Sequence, residues 1–150
     1  MIVTSSSNEA KSAMFAFLRE HGVEIAASTD FQALGRLNSQ GKLIGVVGYN
    51  GFCGRTCMMH TAGEGNWINR MLLWAAFDYP FNQTKCIQVF ATVPDDNQRA
   101  MKLDCHLGFT QMAYIKDGWT EGVGMSILTM HKSECRWLTK LERKHELQAA

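Results

Sequence analysis

The segment from Arg55 to Phe81 constrains this chain most, because it prescribes a strand, a glycine turn and a helix in immediate succession. Thr56-Cys57-Met58-Met59 reads as the end of a strand, and the hexapeptide His60-Thr61-Ala62-Gly63-Glu64-Gly65 as a tight loop. From about Asn66, the residues Ile68, Met71, Leu72, Ala75, Ala76 and Tyr79 recur at the spacing of one helical face, and Pro80 ends the run. Glycines ahead of a helix leave bare backbone that an anion can approach, with the positive end of the helix dipole behind it. The order therefore predicts a phosphate-bearing ligand.

The other elements build a sheet around that unit. Residues 8–21 read as a helix with an apolar stripe including Met14, Phe17 and Leu18, capped by Ser7 or Asn8 and stopped by Gly22. Val23 to Ala27 reads as a short strand. Phe31–Leu37, Leu43–Tyr49 and Phe52–Met59 read as an antiparallel meander, with Asn50-Gly51 as the turn of its second hairpin. Cys86–Val93 alternates as a strand, and Pro94-Asp95-Asp96 breaks it. Asn97–Leu107 is amphipathic with Ala100, Leu103 and Leu107 inward, and Gly108 stands where a left-handed cap belongs. Phe109–Ile115 and Val123–Met130 close the sheet, joined by a loop over 116–122. Residues 133–148 read as a charged terminal helix, with Leu138, Leu141 and Leu147 as its apolar contacts. This is a mixed α+β order. The strand before the glycine loop and the strand after its helix should run parallel, and a cleft opens where such strands part.

Composition narrows the class. The chain has 150 residues, enough for a single domain with one core, and no break marks a second one. Its net charge of +1 gives no general pull toward nucleic acid or an anionic membrane. No apolar run reaches the ~20 residues of a membrane span. Five cysteines, an odd number with no CxxC pair, fit a reduced, cytoplasmic setting. Cys53, Cys57 and His60 have a suggestive spacing, but a fourth ligand is missing and a strand puts 60 on the opposite face from 53 and 57, so no metal is expected.

Two patterns carry a family resemblance. One is His60-x-x-Gly63-x-Gly65, and the other is Asn97-x-x-Ala100-x-x-Leu103-x-x-x-Leu107-Gly108-Phe109. Their order and separation resemble those of the GNAT N-acetyltransferases, over roughly residues 31–131. The segments Trp67–Gln83 and Glu134-Cys135-Arg136-Trp137 resemble small members encoded by bacteriophages. The resemblance implies a single GNAT-like sheet, mostly antiparallel, with a central parallel pair splayed to bind acetyl-CoA and helices on both faces. It implies transfer of an acetyl group to an amine of a protein or small molecule, in the cytoplasm of the infected host. A catalytically degenerate binding or virion-associated protein of the same fold is the alternative.

Site residues follow from the same resemblance. The pyrophosphate would sit on the backbone of residues 61–66, that is Thr61, Ala62, Gly63, Glu64, Gly65 and Asn66. The pantetheine arm would pair with the strand edge at Cys57, Met58 and Met59 and accept a hydrogen bond from Asn97, while Arg99 and Lys102 reach the nucleotide phosphates. Asp104 stands where many relatives carry the tyrosine that protonates the leaving thiolate, and His60 stands where the loop usually has Gln or Arg. His60 has the intrinsic pKa of a proton shuttle. Glu121, beside Trp119 in the 116–122 loop, is the second candidate base or a holder of the amine. Cys57 reads as a buried, inert strand cysteine. The terminal helix is either a solvated face or a docking arm, including one toward a second copy in a homodimer.

Overall fold

The computed structural model describes residues 1–138. Its strands are β1 Ile2–Thr4, β2 Gln32–Leu37, β3 Leu43–Cys53, β4 Thr56–Gly63, β5 Gln88–Pro94, β6 Thr110–Thr120 and β7 Val123–His131. Its helices are α1 Asn8–Glu20, α2 Arg70–Asp78 and α3 Gln98–Leu107. One sheet of seven strands runs in the order β1-β2-β3-β4-β5-β7-β6. The β4–β5 pair is parallel and the other neighbours are antiparallel. This is the mixed α+β architecture expected, with the parallel pair at its centre.

Strand alternation sends side chains to two cores. Val47 and Tyr49 of β3 join Cys57 and Met59 of β4, Val89 of β5, and Leu72 and Phe77 of α2. Val46 points the other way and packs with Met14, Phe17 and Leu18 of α1 and with Phe31. Helices therefore cover both faces. Burying a side chain such as Leu72 or Phe77 is worth about 1.5–3 kcal/mol. Tyr49 keeps its hydroxyl satisfied in the interior by donating to the Ala76 carbonyl at 2.7 Å.

Several boundaries differ from expectation. Val23–Ala27 is irregular, and a first edge strand forms instead at Ile2–Thr4. Asn50-Gly51 is no turn: β3 runs through it to Cys53, with the register slipping between Asn50 and Cys53. The turn is Gly54-Arg55, where Gly54 has φ +58°, and a glycine in the first position suits a primed hairpin turn. Asn50 is used otherwise, as a hydrogen-bond partner of His60. The strand β4 continues through Gly63, so four of the six residues of the expected glycine loop are paired sheet, and α2 starts only at Arg70. Met71, expected inward, is exposed, and α2 passes at Tyr79–Gln83 into a π-helical turn that contains Pro80.

At the other end of the sheet, β6 runs on to Thr120, so the connection to β7 is only Glu121-Gly122 and Trp119 is a strand residue. After β7, Lys132–Glu134 is a 3-10 turn and residues 136–138 are helical. The rest of the expected terminal helix, with Leu141 and Leu147, lies outside the described residues.

Candidate active site

The two parallel strands stay together only briefly. Thr56, Cys57 and Met58 of β4 pair with Gln88, Val89 and Phe90 of β5, and pairing ends there. Beyond that point β4 remains bonded to β3 through Gly63, whereas its other edge faces a cleft. The cleft has a volume of about 380 Å³. Met59–Gly63 form one wall and Ala91–Pro94 the other. The α3 residues Arg99, Ala100, Leu103 and Asp104 line it, as do Asn97, Trp67, Trp119 and the connector residues His21–Glu24. A strand edge with unpaired N–H and C=O groups is a template for an extended chain that carries amides of its own. The edge open to such a chain is Met59–Gly63. Cys57 and Met58 are occupied by β5, and the Cys57 thiol is buried, with its pKa pushed well up by desolvation and by Cys86 beside it.

Gly63 has a packing role. A Cβ built on it would come within 2.1 Å of the Trp67 ring, and one on Gly45 within 2.6 Å. Gly45 and Gly63 are cross-strand partners, so Trp67 lies on a bare two-glycine platform. Gly65 has φ +56° and open space around its α-carbon. The positive end of α2 is at Arg70, where Asn69 caps the helix by accepting the Leu72 N–H at 2.8 Å. Thr61, Ala62 and Gly63 thus belong to the strand, Glu64–Asn66 to the turn after it, and the dipole end lies further on. Glu64 binds Lys42 at 2.8 Å and His21 at 3.0 Å. The Lys42 ammonium first, and His21 second, hold the Glu64 carboxyl below the usual carboxylate range. Asn66 offers its carbonyl to Arg36 at 2.8 Å.

The candidate proton-transfer groups separate into two kinds. His60 lies in the cleft wall, and its Nε2 is 2.7 Å from Asn50 Oδ1. An amide oxygen only accepts, so Nε2 carries the proton and Nδ1 keeps its lone pair. Burial lowers the His60 pKa to about 4, which keeps the ring neutral at physiological pH. Asp104 lines the same cleft and is 8% exposed, and burial raises its pKa to about 6. Glu121 is exposed in the β6–β7 turn, outside the cleft lining, while Trp119 two residues before it is in the lining.

Asn97 is the N-cap of α3. Its Oδ1 accepts the Ala100 N–H at 3.1 Å, which leaves the side-chain NH2 free to donate. Arg99 reaches the cleft lining, and Lys102 is exposed outside it. Sequence reasoning missed the connector His21–Glu24, for which it had no signal beyond a mistaken strand, and the place of Trp67 in the lining. It could have found Ala91 and Val93 from the alternation of β5.

The same fold occurs in N-acetyltransferases. A chimera of the spermidine N-acetyltransferase SpeG from Vibrio cholerae with hSSAT superposes at a TM-score of 0.73 and 14% identity, covering 92% of this chain and 99% of that one. The V. cholerae spermidine N-acetyltransferase in complex with CoA and spermine gives 0.70 and 13% identity, over 89% and 96%. Its dodecameric structure in an intermediate state gives 0.68 and 12%, over 89% and 94%. At such identities the likeness is one of fold, and the fold is that of the GNAT enzymes. No protein-family model and no curated protein sequence matches the chain.

Proposed function

We propose that this chain is an acetyl-CoA-dependent N-acetyltransferase. The observation that carries the proposal is the parting of β4 from β5 after Met58 and Phe90, which leaves Met59–Gly63 as a free strand edge in a cleft. That edge suits the amide-bearing pantetheine arm, with the Asn97 NH2 as a further donor to it. The turn at Gly65–Asn66 and the first turn of α2 favour the pyrophosphate, and Arg99 the nucleotide phosphates. The two-glycine platform is already filled by Trp67, so bare backbone at Gly63 does not bear on the phosphates.

The chain's own groups divide the work of a direct transfer. A backbone N–H on the free edge of β4 polarises the thioester carbonyl and holds the oxyanion. The amine nitrogen attacks the carbonyl carbon, the new C–N bond forms, and the C–S bond breaks. His60 Nδ1 takes the proton from the amine. Asp104 supplies a proton to the departing thiolate: with a pKa of about 6, about a tenth of it is the neutral acid at pH 7. Juxtaposing the two reactants contributes much of the rate. Glu121 is the alternative holder of the amine, from the turn beyond Trp119.

The Trp67–Gln83 and Glu134–Trp137 likeness supports a bacteriophage gene and action in the host cytoplasm. No helix among the described residues is long and apolar enough to cross a membrane. The reading is tested by thiol release from acetyl-CoA with a panel of small amines and amine-bearing peptides. Amine-dependent release is expected, and it should fall at least tenfold in His60→Gln. Binding without release from any amine would favour the degenerate binding protein.

A further inference from the structure

We infer that a second cavity, separate from the cleft, binds a small organic cation. It lies between the β1–β2 edge of the sheet and α2 and has a volume of about 420 Å³. Ile2 and Leu34 line one side, and Tyr49, Trp74 and Tyr79 contribute three aromatic rings. Among the described residues, Asp78 is the one charged side chain in its lining. No lysine, arginine or histidine among the described residues lines it.

The chemistry of that set selects its occupant. Tyr49 and Tyr79 pack with ring centroids 4.9 Å apart, so two of the rings form one continuous aromatic surface. Aromatic faces carry negative potential and attract an ammonium, most strongly where water is excluded. The Asp78 carboxylate is held in place, accepting from Asn82 Nδ2 at 2.8 Å on Oδ1 and from Gln83 Nε2 at 2.9 Å on Oδ2. Each oxygen retains lone-pair capacity for a further donor or cation. Asn82 and Gln83 come from the π-helical turn, which places both amides beside the carboxylate one turn back. A fixed carboxylate beside aromatic and aliphatic walls complements a monocation with an apolar body and penalises an anion, while Thr4, Ser5, Ser6, Gln32 and Gln83 are the uncharged polar part of the lining.

The cavity is also structurally tied to the cleft. The helix α2 supplies Trp74, Ala75 and Asp78 to the cavity, and its N-cap Asn69 stands two residues after Trp67 of the cleft lining.

Benzyltrimethylammonium tests the inference, because it has the charge and the apolar body and no acetylatable nitrogen. Its binding is followed by calorimetry and by the Trp74 indole N–H resonance, with benzyl alcohol as the neutral control. Saturable binding that moves the Trp74 resonance is expected, weakened about tenfold or more in Asp78→Asn and in Trp74→Leu. A cleft variant, Trp119→Ala, should leave it unchanged, which separates this site from the acceptor side of the cleft. The inference is overturned if benzyl alcohol binds as well as the cation, if Asp78→Asn binds normally while folded, if Trp119→Ala abolishes binding, or if no saturable binding occurs. Thermal unfolding of each variant separates lost binding from lost folding, and a folded Trp74→Phe should restore much of the affinity.

Discussion

The indole of Trp67 lies against the backbone of Gly63, so closely that a Cβ at 63 would stand 2.1 Å from the ring. The same ring covers Gly45, the cross-strand partner of Gly63. Trp67 thereby closes the end of the cleft wall formed by β4.

The two glycines of the original motif should therefore respond differently to substitution. Gly63→Ala must displace a rigid aromatic and is expected to cost about 1–3 kcal/mol. Gly65→Ala meets no atom within 4 Å and incurs mainly the strain of φ +56°, about 1–2 kcal/mol. Chemical denaturation measures both costs. The sharper contrast is in ligand binding: only Gly63→Ala should move Trp67, read as a change in its fluorescence and a weaker acetyl-CoA affinity.

His60 and Asp104 predict opposing pH dependences of stability. His60 is depressed from 6.5 to about 4, so its unfolded form binds more protons between those values. Its contribution to stability is present above 6.5 and is lost as pH falls toward 4 and below. Asp104 is raised from 3.8 to about 6, so here the folded form binds more protons. Its contribution is present below 3.8 and is lost as pH rises through 6. The two partly cancel between pH 4 and 6. In denaturation curves across pH, Asp104→Asn should steepen the loss of stability on acidification, and His60→Gln should flatten it. At pH 7 Asp104→Asn should gain up to about 3 kcal/mol relative to its own effect at pH 3.5.

Asn97 performs two tasks with two ends of one amide. Asn97→Asp keeps the acceptor for the Ala100 N–H and removes the NH2 donors. Stability should hold, while the KM for acetyl-CoA rises. Asn97→Ala loses the cap as well, at about 1 kcal/mol. A steady-state titration of acetyl-CoA beside a melting curve separates the two.

Asn50 should act through His60. Asn50→Ala removes the acceptor that holds the proton on Nε2 and frees the ring to flip its tautomer. Amine-dependent thiol release should fall about tenfold while acetyl-CoA affinity stays constant. The His60 ring-nitrogen shifts by NMR report the tautomer directly.

Much of the fold was legible in the sequence because its signals are local. The α3 segment shows this well: Asn97 at the cap, Leu107 inward and Gly108 at φ +112° all follow from nearest neighbours. The parallel β4–β5 pair followed from element order. Asn50-Gly51 misled because a turn signal competes with register: Asn50 is held within β3 by cross-strand pairing with Met58 and by His60. The role of Gly63 was illegible because it depends on Trp67 folding back over the strand, a contact with no sequence signature. In the same way nothing in the chain announces that His21 and Glu24, two elements away from β4, share its cleft.

The central claim is that the cleft between β4 and β5 holds acetyl-CoA. Calorimetric titration of the intact chain with acetyl-CoA tests it most directly. The account predicts one saturable site per chain, weakened in Asn97→Asp and in Gly63→Ala. A folded protein that gives no saturable heat with acetyl-CoA would contradict it.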